Sequence, residues 1–349
     1  MGPTAEARHL SFDPIALIER AYQHYPDGSC WLQGAIEDVV QAIDPSCLAA
    51  LSYVHGDQGP GEPILVRPSA GVSPEQAKQL VAMGFATSTP EEDRLIAAAC
   101  RKPGINSLRQ ILGDAAMDSW LARRPERPAP FADAVAVMLP GPDAKPLVLT
   151  VTCAKPRRIQ AAEQALWHRI AIHWSAGWRL ALRGSAAEAE DVEAILNPDG
   201  HVAHATGRGA TAQGRELLGQ AVKDIDRARS RSGRSDPLGA LALWQGLLAG
   251  RWSLVDQFDS DGRRFILARR NEPGLPGQGA LTRRQQQVVF YASLGLSNKE
   301  TAYALGLAEN TVCAHLATGL ARLRIKSRAE LIRASGDLAT EALATLTAR

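Results

Sequence analysis

Apolar positions recur with a helical period in some stretches of this chain and form short unbroken runs in others. Within residues 30–43, Trp31, Ile36, Val39, Val40 and Ile43 share one face of a helix. The apolar run 47–54 reads as a buried strand. A turn cluster of Gly56, Gly59, Pro60 and Gly61 follows, and 63–66 reads as a second strand. Residues 74–83 and 91–101 read as helices, with Ser73 before Pro74 suiting an N-cap and first helical position. Residues 133–139 and 147–153 are further strands. The turn chemistry between them, Pro140-Gly-Pro-Asp-Ala-Lys-Pro, predicts an antiparallel pair. A long helix is predicted over 159–183, where Trp167, Trp174 and Trp178 share a face. That stripe reads as core or dimer packing before it reads as the lining of a pocket.

Beyond it, 191–206 reads as a hairpin about Asn197-Pro-Asp-Gly, 212–228 as a charged helix, 229–236 as a polar break and 238–248 as a helix. A second hairpin pairs 252–258 with 264–268 across Asp259-Ser-Asp-Gly. The segment 271–280, rich in proline and glycine, has the composition of a linker. After it the pattern is wholly helical. Thr282 with Gln285 forms a capping-box pattern for a helix over 283–294, ended by Gly295. Ser297 with Glu300 opens a second helix, 298–305. Gly306-Leu307-Ala308 turns into a third, 309–323, with Val312, Leu316, Leu320 and Leu323 as its buried stripe. Ser327 with Glu330 opens a fourth. Two helices joined by so short a turn fit either a generic helical hairpin or the DNA-binding supersecondary unit, whose second helix enters the major groove.

Composition narrows the class. A chain of 349 residues with 45% hydrophobic and 22% charged residues predicts two or three globular domains. No apolar run reaches the ~18–20 residues of a bilayer span, and the first ten residues lack a secretory pattern, so a cytoplasmic protein without membrane contact is expected. Cys30, Cys47, Cys100, Cys153 and Cys313 are odd in number and widely spaced, which argues against a disulfide framework or a thiolate metal site. Charge is uneven: from Gln278 onward nine basic residues face five acidic ones, against 30 and 32 in the remainder. A local excess of cations is what a polyanion responds to.

No phosphate-binding G-x-x-x-x-G-K-[ST] and no G-x-S-x-G elbow is present. His168 and His173, five apart on one helix, and His201 and His204, in a hairpin, have poor ligand spacing. The acidic cluster and later lysine of a phospho-acceptor receiver are missing as well. The expectation is no catalytic residue, no metal and no cofactor: not an enzyme.

The segment from Leu281 to Arg333 closely resembles the LuxR-type helix-turn-helix. Leu281, Thr282, Arg284, Gly295, Ser297, Asn298, Lys299, Glu300, Ala302, Leu305, Gly306, Leu307, Thr311, Val312, His315, Leu323, Ser327, Arg328, Glu330 and Leu331 match its pattern in order and without gaps. The resemblance implies double-stranded DNA as partner. Asn298, Lys299, Asn310, Thr311, Lys326 and Arg328 are the implied phosphate contacts, and Cys313, Ala314, Ala317 and Thr318 the groove-facing positions. Three positions depart from the family: Gln285 for a glutamate, Thr301 for an isoleucine, and Cys313 for a lysine. Short side chains at 313, 314 and 317 cannot hydrogen-bond base edges as Arg, Lys, Asn or Gln do, which leaves methyl contact and shape readout.

By element order, residues 29–185 resemble a GAF domain, and 186–270 are loosely similar to a PAS domain. The expected organisation is multidomain. An N-terminal helical extension (1–28) leads into an α+β sensory region made of the GAF-like (29–185) and PAS-like (186–270) parts. A linker (271–280) and an all-α four-helix LuxR-type domain (281–349) follow. Such sensory domains imply an unknown small-molecule or protein signal and a homodimer. The function expected is a signal-regulated transcription regulator. The alternative is a dimeric interaction protein or anti-activator whose helix-turn-helix has lost base readout.

Overall fold

The indoles of the long amphipathic helix decide how the N-terminal part is built. In the computed structural model, which describes residues 12–56, 59–60, 64–68, 73, 75, 88–124, 131–140, 146–183, 191–273 and 281–332, the chain divides into two units, Met1–Ser185 and Ala186–Arg349. The expected helix over 74–83 and most of the 140–146 turn lie outside the described residues.

In the first unit, α1 (Pro14–Ala21) and α2 (Gly28–Ile43) precede β1 (Ala49–Gly56), β2 (Gly59–Pro60) and β3 (Leu65–Pro68). Then come α3 (Pro90–Cys100), β4 (Gly104–Ser107), α4 (Leu108–Leu112), α5 (Asp114–Ala122), β5 (Asp133–Leu139), β6 (Leu147–Cys153) and α6 (Ala161–Arg183). The strands pair antiparallel in the order β2-β1-β6-β5-β4, with β3 also on β1. Leu147 opposite Leu139 and Cys153 opposite Asp133 fix the register of the central pair. Both sheet faces are covered, which is why β6 reads as a nearly continuous apolar run and not as an alternation.

On one face Leu51, Tyr53, Met138 and Val148 pack against Ile96, Cys100, Leu112, Met117 and Trp120 of α3–α5. The other face carries α2 and α6. There Trp167 and Trp174 are fully buried, edge to face with ring centroids 6.0 Å apart, and Trp174 lies 6.1 Å from Trp31. A buried indole N–H usually finds an acceptor; Trp167 Nε1 has none among the described residues, but two neighbouring indoles do. Trp174 Nε1 donates to Leu17 O at 3.2 Å and Trp31 Nε1 to Ala21 O at 3.1 Å, so the stripe anchors α1. The close approach is possible because position 177 is glycine: a Cβ there would lie 2.2 Å from Ala21 O. The tryptophan stripe is core.

In the second unit, β7 (Val192–Leu196), β8 (Val202–Ala205), β9 (Trp252–Phe258) and β10 (Arg264–Arg270) form an antiparallel sheet of order β8-β7-β10-β9. One face is covered by α7 (Ala212–Arg229), which buries Leu218, Val222 and Ile225. Asp226 and Asp256 pair with Arg229 and Arg264 at the edge of this contact, 2.7–3.0 Å for the three shortest links. Two stretches differ from expectation. The polar break holds a short helix, α8 (Arg231–Arg234), because Ser230 caps it. The next helix, α9 (Pro237–Leu243), stops five residues early, and residues 246–251 turn instead. Ala249 and Gly250 both take positive φ there, 48° and 58°. Asn271 and Glu272, at the start of the expected linker, are buried. Asn271 donates to Ser253 Oγ at 2.9 Å.

Candidate nucleic-acid interface

Three helices carry the C-terminal segment: α10 (Arg283–Ser293), α11 (Asn298–Leu305) and α12 (Glu309–Leu323). A helical turn over 328–332 follows. The first two open with complete capping boxes, Thr282 with Gln285 and Ser297 with Glu300. The turn between α11 and α12 works because Gly306 takes φ 59° at the end of α11. Val312 and Leu316 are buried in α12 as expected, but Leu320 and Leu323 are half-buried. Gly319 takes their place in the helix crossing, where a Cβ would lie 2.7 Å from Val289 Cγ2.

Two departures from the family pattern, at 285 and 301, are accommodated differently. Gln285 is buried; its Oε1 accepts from Thr282 N at 3.1 Å and from Arg322 Nη1 at 2.8 Å, tying α10 to α12. Thr301 is fully buried and its hydroxyl has no hydrogen-bond partner among the described residues. An unsatisfied buried hydroxyl costs about 1–3 kcal/mol. Thr301→Val, which keeps the shape, is therefore expected to stabilise this segment by about 1 kcal/mol, read as a higher denaturation midpoint. An unchanged or lower midpoint would contradict this reading of the site.

Cys313, Ala314, Ala317 and Thr318 lie together on the exposed face of α12. Cys313 Sγ accepts from Asn298 Nδ2 at 2.9 Å, which joins the start of α11 to α12. The Thr318 hydroxyl is turned back onto Ala314 O at 2.9 Å. Lys299, Asn310, Thr311 and Lys326 are exposed. Arg328 is placed differently: it is half-buried and donates to Leu296 O at 2.5 Å, bracing the α10–α11 turn. His315 is half-buried, and burial followed by the nearby Arg284 charge holds its pKa below the usual histidine value.

The opposite side of this segment is clasped by the turn that ends α9. Gly250 N donates to Leu305 O at 2.5 Å, Gln287 Nε2 to Gly250 O at 2.9 Å, and Tyr303 Oη to Leu241 O at 2.8 Å. The Arg284 guanidinium donates to Ala249 O and to Gln287 Oε1, the latter at 2.7 Å. Burial, and then the neighbouring Arg208 charge, lower its pKa. Glu272 joins Arg251, at 2.6 Å, to Arg283. Arg251 in turn pairs with Glu193, which also accepts Trp252 Nε1 at 2.8 Å. Gly306 sits against Leu247 O with no room for a Cβ. The clasp was not read from the sequence. Its one local signal is the glycine at 250, which has a plain turn explanation.

Among the described residues no group of His, Cys, Asp and Glu is placed to hold a metal, and no helix is long and apolar enough to cross a membrane.

Residues 279–335 match the family model described as bacterial regulatory proteins, luxR family. A 59-residue stretch, 17% of this chain, is 42% identical to a protein described as a glycerol metabolism activator of Pseudomonas putida, of which it covers 27%. The chain therefore matches about a quarter of that relative's length. Two solved structures align along most of the chain. One, described as SdiA in complex with octanoyl-rac-glycerol, has 10% identity and a TM-score of 0.33 over 97% of both chains. The other is Escherichia coli SdiA, with 13% identity and a TM-score of 0.29 over 94% of this chain and 96% of that one. The ordered motif, the capped helices and the family match agree on one conclusion: the C-terminal segment of this chain, residues 279–335, is a LuxR-family helix-turn-helix domain.

Proposed function

We propose that the protein is a DNA-binding transcription regulator whose α12 lies in the major groove of double-stranded DNA. The observation that carries this reading is the exposed face of α12. The clasp holds the domain through α10 and the end of α11, while Cys313, Ala314, Ala317 and Thr318 stay exposed. Lys299 and Lys326 have no ion pair among the described residues, so both cations are available to phosphates. The short groove-facing side chains imply that affinity is mostly electrostatic.

The α+β parts carry the signal or the dimer contact in this reading. Their antiparallel sheets with helical cover support the GAF-like and PAS-like comparisons by layout. A cytoplasmic homodimer without enzymatic activity fits such a regulator. The alternative, an interaction protein or anti-activator, is favoured by one feature only, the loss of long donors at 313, 314 and 317.

Genomic-DNA pull-down with the purified chain, followed by sequencing, separates the two readings. The regulator recovers enriched sites, whereas the interaction protein recovers none. Lys299→Ala is expected to weaken binding to every sequence alike and to flatten the log–log salt dependence by roughly one unit. A change in sequence preference alone would contradict a phosphate contact. Arg328→Ala is expected also to destabilise the domain, because it leaves Leu296 O without its donor.

A further inference from the structure

A groove of 710 Å³ runs along α7 in the second unit, and its far wall is the clasp turn. Its apolar lining is Leu217 of α7, Ala249 and the small exposed part of Trp252, a residue 3% exposed. Thr211, Arg208 and Glu216 are among the polar residues at its sides. The volume falls within the range of ordinary small-molecule sites. From Thr211 to Gln220 the lining stretch of helix is about 13 Å long at 1.5 Å per residue.

Charge sets the class of occupant. The Arg208 guanidinium has no hydrogen bond or ion pair among the described residues, and it sits at the end of the groove where α7 begins. Among the described lining residues it is the one cation. Glu216 lies further along α7, past the helix start, with its carboxylate exposed. An anionic head near Arg208 with an apolar body over Leu217 and Trp252 satisfies both features. A cationic head at that end would face the Arg208 guanidinium.

We propose that this groove binds a small amphipathic carboxylate with an extended apolar chain, and that the clasp senses its occupancy. The link is Ala249. This residue lines the groove and its carbonyl accepts Arg284 of the helix-turn-helix domain. The next residue, Gly250, donates to Leu305 O. A ligand pressing on position 249 therefore acts on the backbone that holds α10 and α11. This rests on the reading that the α+β region carries a signal, and it supplies the class of signal.

The test uses the full chain and n-decanoate below its micellar concentration, with n-decylammonium as the probe of opposite charge. Calorimetry is expected to show saturable binding of one decanoate per chain and at least tenfold weaker binding of decylammonium. Arg208→Gln, at an exposed position, is expected to keep the melting temperature, weaken decanoate about tenfold and remove the preference for the anion. No binding of decanoate, equal binding of the two probes, or an unaffected Arg208→Gln variant would overturn the site. Hydrogen exchange of the Gly250 amide tests the link to the clasp: a changed rate with decanoate supports it, and an unchanged rate at saturation overturns it. Neither measurement involves DNA. Decanoate binding with no enriched DNA sites would therefore sink the regulator reading and leave the groove standing. Enriched sites without decanoate binding would do the reverse.

Discussion

Gly250→Val is expected to release the helix-turn-helix domain from its clasp while leaving both sheets folded. Gly250 takes φ 58°, where a β-branched residue is strained by about 1–2 kcal/mol. A Cβ there would also lie 2.0 Å from Arg284 Nη1 and 2.9 Å from Gln287 Oε1. Arg284 can swing away, but only by leaving Ala249 O without its donor and the Gln287 amide without its second bond. Overpacking of this kind costs about 1–3 kcal/mol. A total near 3 kcal/mol corresponds to about a hundredfold larger undocked fraction. Trypsin reports it, because Arg283 and Arg284 are both held in the clasp. Cleavage at these arginines is expected to quicken by about that factor when opening is fast relative to cutting, with circular dichroism unchanged. An unchanged cleavage rate would mean that the clasp does not hold the domain in solution.

Cys313→Lys is expected to raise DNA affinity by about 1–3 kcal/mol, the range of one good base contact. The position is exposed on α12, and the substitution leaves Val312 and Leu316 buried as they are. Its local cost is the contact with Asn298 Nδ2, whose amide then becomes free to turn toward phosphate. Fluorescence anisotropy at fixed salt, on the best pull-down site and on a scrambled duplex, separates two geometries. A gain confined to the best site places residue 313 against bases, and an equal gain on both places it against phosphate. No gain on either, with the domain still folded, would contradict groove entry by this helix.

Legibility in the sequence followed the range of the interactions. The bounds of α11 and α12 and the strands at 133–139 and 147–153 were readable because local signals set them: capping boxes, a C-terminal glycine, unbroken apolar runs. The stretch from Gly104 to Ala122 was not. There β4, α4 and α5 are four, five and nine residues long, too short for either period to show. The apolar pattern of 238–248 reads as one helix, yet α9 ends at Leu243, because the following turn is shaped by long-range partners. Leu247 meets Gly306, and Gly250 meets Leu305 and Gln287. For the same reason the implied phosphate contacts read alike in sequence but separate in the fold. Lys299 and Lys326 are exposed, while Arg328 is drawn onto Leu296 O.

Binding by an Ala317→Glu variant tests the DNA-reading role of α12 most directly. Position 317 is exposed, so a glutamate there leaves the core untouched, and it sets a carboxylate against the phosphates and base edges that α12 is proposed to meet. Anisotropy on the best pull-down duplex, with melting temperature as the control for folding, should show affinity at least about tenfold lower than that of the native chain at the same salt. Native-like affinity in a folded Ala317→Glu protein would contradict entry of α12 into the groove.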